Sequence, residues 1–107
     1  MNEQAFFLEL LQKMVSIPSV SGDEENLARF LADFLRQELH METELVQVKE
    51  KQYNLIARKK RSRTGGKKLL LGGHMDTVDA GGNWSHDPFV LSVEGTRAYG
   101  RGTCDMK

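Results

Sequence analysis

Apolar residues return at helical spacing in two stretches near the start of the chain. Phe7, Leu10, Leu11 and Met14 predict an amphipathic helix over Gln4–Met14, ending before Pro18. Leu27, Phe30, Leu31, Phe34, Leu35 and Leu39 form a longer stripe, with Glu25, Arg29, Asp33 and Arg36 elsewhere on the surface. This second helix is expected to pack on something flat. The stretch Ser16 to Gly22 between them reads as a loop, and Ser21 with Glu24 three residues later has the form of a capping box for the second helix. Strand patterns follow: partial alternation over Thr43–Val48, an apolar run around Leu55 and Ile56 in Tyr53–Ala57, and Leu69-Leu70-Leu71 within Lys68–Gly73. The last run does not alternate, which predicts a strand covered on both faces. A Gly-rich, aromatic loop from Asp79 to Pro88 leads into Phe89–Val93 and Arg97–Tyr99, a hairpin around Glu94-Gly95-Thr96. The order helix, helix, three strands, loop, hairpin predicts an α/β sandwich with at least one sheet and helices on its face.

Composition narrows the classes of function. A length of 107 residues, 39% of them apolar and 28% charged, is that of one modest globular unit. The net charge of zero argues against a dedicated nucleic-acid binder and points to a small molecule or a protein as partner. The single cysteine, Cys104, leaves no intramolecular disulfide and no multi-cysteine zinc site, and fits a reducing compartment. No apolar run approaches the roughly 20 residues of a membrane-spanning helix, and the first residues lack the basic region of a signal peptide, so the expectation is a cytoplasmic protein without a membrane partner. The neutral total hides a segregation: residues 1–50 carry ten acids against four bases, while residues 51–68 carry eight bases and no acid. The basic segment Arg58 to Lys68 reads as a solvated connection between strands, with a patch for an acidic partner as the alternative.

Chemistry-bearing residue types concentrate in two places. Gly72-Gly73-His74-Met75-Asp76-Thr77-Val78 follows the run of leucines, and ligands in open α/β sheets collect beyond the carboxyl ends of strands. In extended backbone, residues two apart face the same way, so the Asp76 carboxylate is expected beside the His74 imidazole, as in the carboxylate–histidine pairs that orient metal ligands. A loop histidine beside a solvated aspartate is the plainer reading of the same pair. The second group is Tyr99-Gly100-Arg101-Gly102-Thr103-Cys104-Asp105-Met106-Lys107, where two glycines signal tight backbone and Asp105 can bring a carboxylate into the same crevice. A dinucleotide fingerprint fails here because Asp105 occupies the place of the third glycine, and a phosphate loop fails for want of Gly-Lys-Ser/Thr. Cys104 as a nucleophile activated by His74 or His86 is a minor alternative. Between the two groups, Trp84 and Phe89 around Asp87-Pro88 read as a loop pinned by aromatics, and His86 as a polar loop residue without a ligand role.

Taken in order, Gly73-His74-Met75-Asp76-Thr77-Val78, then Trp84-x-x-Asp87-Pro88-Phe89, then Tyr99 to Lys107 resemble the dinuclear zinc hydrolases that include acetylornithine deacetylase, succinyl-diaminopimelate desuccinylase, aminoacylase and the carboxypeptidase G type peptidases. The opening, with Val15-Ser16-Ile17-Pro18-Ser19 and Ser21-Gly22-Asp23-Glu24 between two helices, is similar too. The resemblance implies a zinc-exopeptidase-like α/β sandwich with a mixed central sheet and helices on its faces. It implies that His74 ligates one zinc, that Asp76 is the catalytic-site carboxylate orienting and polarising His74, and that Asp105 bridges two metals, with Arg101 and Cys104 as neighbours. The implied reaction is hydrolysis of the amide bond of an N-acyl amino acid or small peptide by metal-bound hydroxide, with two Zn2+ per complete site, Co2+ or Mn2+ as substitutes, and a homodimeric parent protein. Family members are several-fold longer and supply further ligands, a glutamate base and a dimerisation domain after the Asp-Met-Lys segment. The expectation is therefore that residues 1–107 are the amino-terminal part of the catalytic domain and are inactive alone. The competing expectation, a binding module, rests on the basic segment Arg58–Lys68. Asp79 stands where deacetylases often have proline after the valine, which leaves the acyl group undecided.

Overall fold

The computed structural model describes residues 2–59 and 65–107. Its elements are α1 (Glu3–Ser16), α2 (Glu25–Leu39), β1 (Glu42–Lys49), β2 (Gln52–Arg58), β3 (Ser92–Glu94) and β4 (Arg97–Tyr99). Helix α1 starts on Asn2, whose side chain accepts a hydrogen bond from the Ala5 N–H (2.8 Å), satisfying one of the donors a helix start leaves open. The predicted stripe faces inward at Leu10, Leu11 and Met14 but not at Phe7. Phe7 is 58% exposed, whereas Phe6, Leu10, Leu11 and Met14 are half-buried and Val15 is fully buried. Phe6 faces Phe34 of α2 with ring centroids 6.0 Å apart, so the inward register is set by the partner helix.

Helix α2 packs across β1 and β2, the flat surface its stripe requires. Leu27 and Ala28 are fully buried and Ala32 nearly so, while Leu39 at the far end of the stripe is 41% exposed. The alanines bring the helix close to the hairpin, and Arg29 covers Tyr53 of β2 at 5.4 Å from the ring centroid. The helix ends on His40 in left-handed conformation (φ 54°), and the Met41 N–H returns to the Leu35 carbonyl (3.0 Å), the usual way to close the last turn. Strands β1 and β2 form an antiparallel hairpin in the register Glu42 to Arg58, with a bulge between Gln47 and Lys49. The start of α2 is held against the hairpin turn by the Glu25 N–H, which donates to the Lys51 carbonyl (3.0 Å).

Three expectations are corrected. Ser21 and Glu24 do not form a capping box: α2 begins at Glu25 without a side-chain cap, Glu24 accepts from the Gly22 N–H (2.8 Å), and Ser21 points elsewhere. Lys68–Gly73 is not a strand, and Leu69, Leu70 and Leu71 are 85%, 92% and 83% exposed. Three consecutive leucines match a doubly covered strand only when neighbours exist on both sides, and the described residues provide neither. The described strands accordingly form two separate antiparallel pairs, β1-β2 and β3-β4, in place of one mixed central sheet. The hairpin β3-β4 is as predicted but starts at Ser92, turning at Gly95 with φ 62°. Residues 60–64 of the basic segment lie outside the described residues. Of its flank, Lys59 donates from Nζ to the Leu39 carbonyl (2.5 Å). No helix among the described residues is long and apolar enough to cross a membrane.

This distribution of burial predicts opposite outcomes for two leucines. Leu27→Ala is expected to lower the unfolding free energy of the 107-residue chain by about 2–5 kcal/mol, whereas Leu70→Lys is expected to change it by less than about 0.5 kcal/mol. Urea denaturation followed by far-UV circular dichroism checks both.

Candidate metal-binding and catalytic site

The site is built on a tie between distant segments. The Thr77 N–H donates to the Ser19 carbonyl (2.8 Å) and the Ser21 N–H to the Thr77 carbonyl (3.1 Å), a parallel bridge centred on Val20 and Thr77. Ser19, fully buried, adds a side-chain bond from Oγ to the Met75 carbonyl (2.7 Å). Residues 75–77 are thus held extended against the loop between the helices. On this extended backbone His74 and Asp76 lie side by side, as their spacing predicts: His74 Nδ1 is 3.3 Å from Asp76 Oδ1. A second partner was not foreseen. His74 Nδ1 is 2.9 Å from the Asp76 carbonyl oxygen, and since a carbonyl only accepts, Nδ1 carries the proton.

The other ring nitrogen, Nε2, is 2.7 Å from Asp105 Oδ1. The structure therefore joins three residues singled out from the sequence, His74, Asp76 and Asp105, across a separation of 31 positions. The bond to the Asp76 carbonyl and then the Asp105 carboxylate raise the imidazole pKa. A hydrogen bond from Ser21 Oγ to Asp76 Oδ2 (2.5 Å), with the nearby imidazole adding to it, holds the Asp76 carboxyl below the usual range. An ionised Asp76 beside a protonated Nδ1 turns Nε2 toward Asp105.

Asp105 is delivered by a compact turn that is anchored on α1. Gly100 is buried so close to the helix that a Cβ there would stand 2.9 Å from Val15 Cγ1. Gly102 has φ 90° and carries the chain back so that the Lys107 N–H donates to its carbonyl (2.7 Å). Lys107 then donates from Nζ to the carbonyls of Met14 (3.0 Å) and Ile17 (2.8 Å), placing a cation on the carboxyl end of α1, where the helix dipole favours it. Burial lowers the Lys107 pKa. No local signal in the sequence points to this contact across 90 positions.

The loop around Trp84 is pinned by its aromatic residue, as expected. Trp84 donates from Nε1 to the Ala80 carbonyl (2.7 Å), and Arg101 lies 4.9 Å from its ring centroid while donating to the Asp79 and Ala80 carbonyls (3.2 and 3.3 Å). His86 stacks on Tyr99 (4.4 Å between centroids) and contacts Glu94 Oε1 from Nε2 (2.9 Å), away from His74. Cys104 is exposed at the rim. Ser21, His74, Asp76, Arg101, Cys104 and Asp105 are among the residues around a cleft of about 370 Å3.

His74 Nε2 and Asp105 form a mixed nitrogen and carboxylate donor pair of the type zinc accepts, with the other ring nitrogen already fixed by a carbonyl and a carboxylate. Two donors do not close a site. Among the described residues no group of three or more histidine, cysteine, aspartate or glutamate side chains converges on one point.

Comparison with known proteins agrees with the motifs. Residues 70–107, which hold His74, Asp76 and Asp105, match Peptidase family M20/M25/M40. The resemblance to the deacetylase and desuccinylase hydrolases extends over almost the whole chain: a probable succinyl-diaminopimelate desuccinylase of Staphylococcus aureus is 35% identical over 102 residues, covering 94% of this chain and 24% of that protein. An acetylornithine deacetylase of Photorhabdus laumondii is 39% identical over 111 residues, covering 94% of this chain and 28% of that protein. The chain spans about a quarter of the length of these relatives.

The anchoring of the Asp105 turn predicts that Lys107→Ala, which strips a charged donor from two carbonyls, lowers stability by about 1.5–3 kcal/mol. Thermal and urea unfolding of the 107-residue chain measure the loss, and an unchanged midpoint would show that the anchor is unimportant.

Proposed function

We propose that this chain forms the amino-terminal part of the catalytic domain of a metal-dependent hydrolase acting on amide bonds of N-acyl amino acids or small peptides. The observation that carries this reading is the His74 imidazole, fixed on one side by Asp76 and turned on the other toward Asp105. In this reading His74 Nε2 and the Asp105 carboxylate are metal ligands, and Asp76 keeps the Nδ1 proton in place and raises the basicity of Nε2. A zinc-type cation, two per complete site with Co2+ or Mn2+ as substitutes, supplies Lewis-acid polarisation of the amide carbonyl and acidification of water when bound. The remaining ligands and the general base come from outside these 107 residues, so the chain alone is inactive.

The relatives support the substrate class, since their names describe removal of a succinyl or acetyl group from an amino acid. The cleft volume is in the range of small-molecule sites. Arg101, which also holds the Trp84 loop, lines this cleft together with Ser21 and Thr77. The proposal extends to the fold of the whole protein: a zinc-exopeptidase-like sandwich with a mixed sheet, in which the exposed leucines 69–71 become a central strand. The whole protein is cytoplasmic and homodimeric in this reading.

A chimera tests it. The 107 residues replace the aligned quarter of the Staphylococcus aureus relative, and hydrolysis of N-succinyl and N-acetyl amino acids is assayed with and without Zn2+. The chimera is expected to turn over one of these substrates in a metal-dependent way, and the isolated chain neither. His74→Ala and Asp105→Ala are expected to reduce the chimera to background, and Asp76→Ala to cost about 10–100-fold in metal affinity or rate. Turnover by the isolated chain, or full activity without His74 or Asp105, would refute the proposal.

A further inference from the structure

Ser21 has no part in the chemistry described so far, and its apparent role in the sequence, capping α2, is not the one it plays. Its hydroxyl donates to Asp76 Oδ2, the carboxylate oxygen turned away from His74, while Oδ1 faces the imidazole at 3.3 Å. A carboxylate held at one oxygen only can rotate about its terminal torsion, which is broad and roughly two-fold. Held at both oxygens, by Ser21 on one side and by His74 Nδ1 on the other, it has one orientation. We propose that Ser21 is a positioning residue: it locks the Asp76 carboxylate, and through it the His74 ring, so that Nε2 is presented toward Asp105. The inference rests on the reading of His74 and Asp105 as metal ligands, and it makes the loop between the two helices part of the site.

The backbone around Ser21 is suited to this task. Its N–H is bonded to the Thr77 carbonyl, and Ser19 is bonded to both Thr77 and Met75, so Ser21 Oγ approaches Asp76 from a segment already fixed to the same three residues. Positioning therefore requires ordering of one hydroxyl rotor and nothing more. Ser19 provides an internal comparison. Its hydroxyl, buried and bonded to the Met75 carbonyl, holds the same segments together without touching Asp76 or His74. A purely structural role for the loop would make the two serines equivalent. A positioning role separates them.

The test uses the 107-residue chain as Ser21→Ala, Ser21→Thr and Ser19→Ala, with two readouts at one fixed pH. The first, in metal-free protein, is the His74 Nδ1 proton in long-range 1H–15N spectra of the imidazoles. It is expected to be sharp and slow to exchange in the parent and in Ser21→Thr, which keeps the hydroxyl, and broadened or lost in Ser21→Ala. In Ser19→Ala it is expected to persist while the thermal midpoint falls. The second is Zn2+ affinity of the chimera carrying the same substitutions, where the remaining ligands are supplied, by competition with a chromophoric chelator; it is expected to fall about tenfold in Ser21→Ala and to recover in Ser21→Thr. A folded Ser21→Ala chain with an unchanged His74 signal overturns the positioning role, as does failure of Ser21→Thr to restore the signal. A folded parent chimera whose Zn2+ binding does not perturb His74 Nε2 tells against the metal reading alone, and leaves the positioning role to be decided by the first readout.

Discussion

The short parallel bridge between Ser19–Ser21 and Met75–Thr77 is the contact on which the rest of the site depends. Two backbone bonds and the buried Ser19 hydroxyl join loops more than fifty positions apart, and they fix residues 75–77 in the extended form that sets His74 and Asp76 side by side. The closure of so long a loop is entropically expensive but grows only slowly with length, so a few well-made bonds in a buried setting are enough to hold it. The bridge carries information as well as stability. By placing Ser21 over Asp76 it determines which oxygen of the carboxylate meets the imidazole.

The second half of the site is attached to the first helix. Gly100 allows the turn to approach Val15 within van der Waals contact, and Lys107 fastens the end of the turn to carbonyls at the carboxyl end of α1. Both halves thus meet around the same short region, residues 14–21, where α1 ends and the loop to α2 begins. Arg101 performs a similar service for the aromatic loop, bonded to its carbonyls and stacked on Trp84. The functional side chains themselves remain accessible, with His74 and Asp76 nearly half exposed and Asp105 more so. The rigidity lies in the backbone ties beneath them.

The position of charge follows from this arrangement. The surroundings of His74 raise its pKa, and the space between Nε2 and the Asp105 carboxylate is where a proton and a divalent cation would compete. Leaving the leucines at 69–71 in water forgoes about 1.5–3 kcal/mol for each side chain that could otherwise be fully buried, which is large beside the net stability of a domain this size. This apolar stretch leads directly into the segment matched to the peptidase family.

The sequence by itself determined the elements whose signals are local. Helical spacing located α1 and α2, partial alternation located β1, the apolar run around Leu55 and Ile56 located β2, and Glu94-Gly95-Thr96 located the second hairpin, because each of these depends on neighbours a few positions away. The ordered motifs likewise sufficed to single out His74, Asp76 and Asp105. Tertiary structure decided what depends on distant partners. The inward face of α1 was set by Phe34 of α2 and not by the stripe through Phe7, and the leucine run formed no strand because a strand is defined by the pairing it finds. Ser21 had two competing partners, the N–H donors of a nearby helix start and a carboxylate 55 positions away, and only the folded backbone selected the second. Spacing along a chain encodes periodicity, while the direction of a hydroxyl or a carboxylate is fixed by whatever the fold brings within about 3 Å of it.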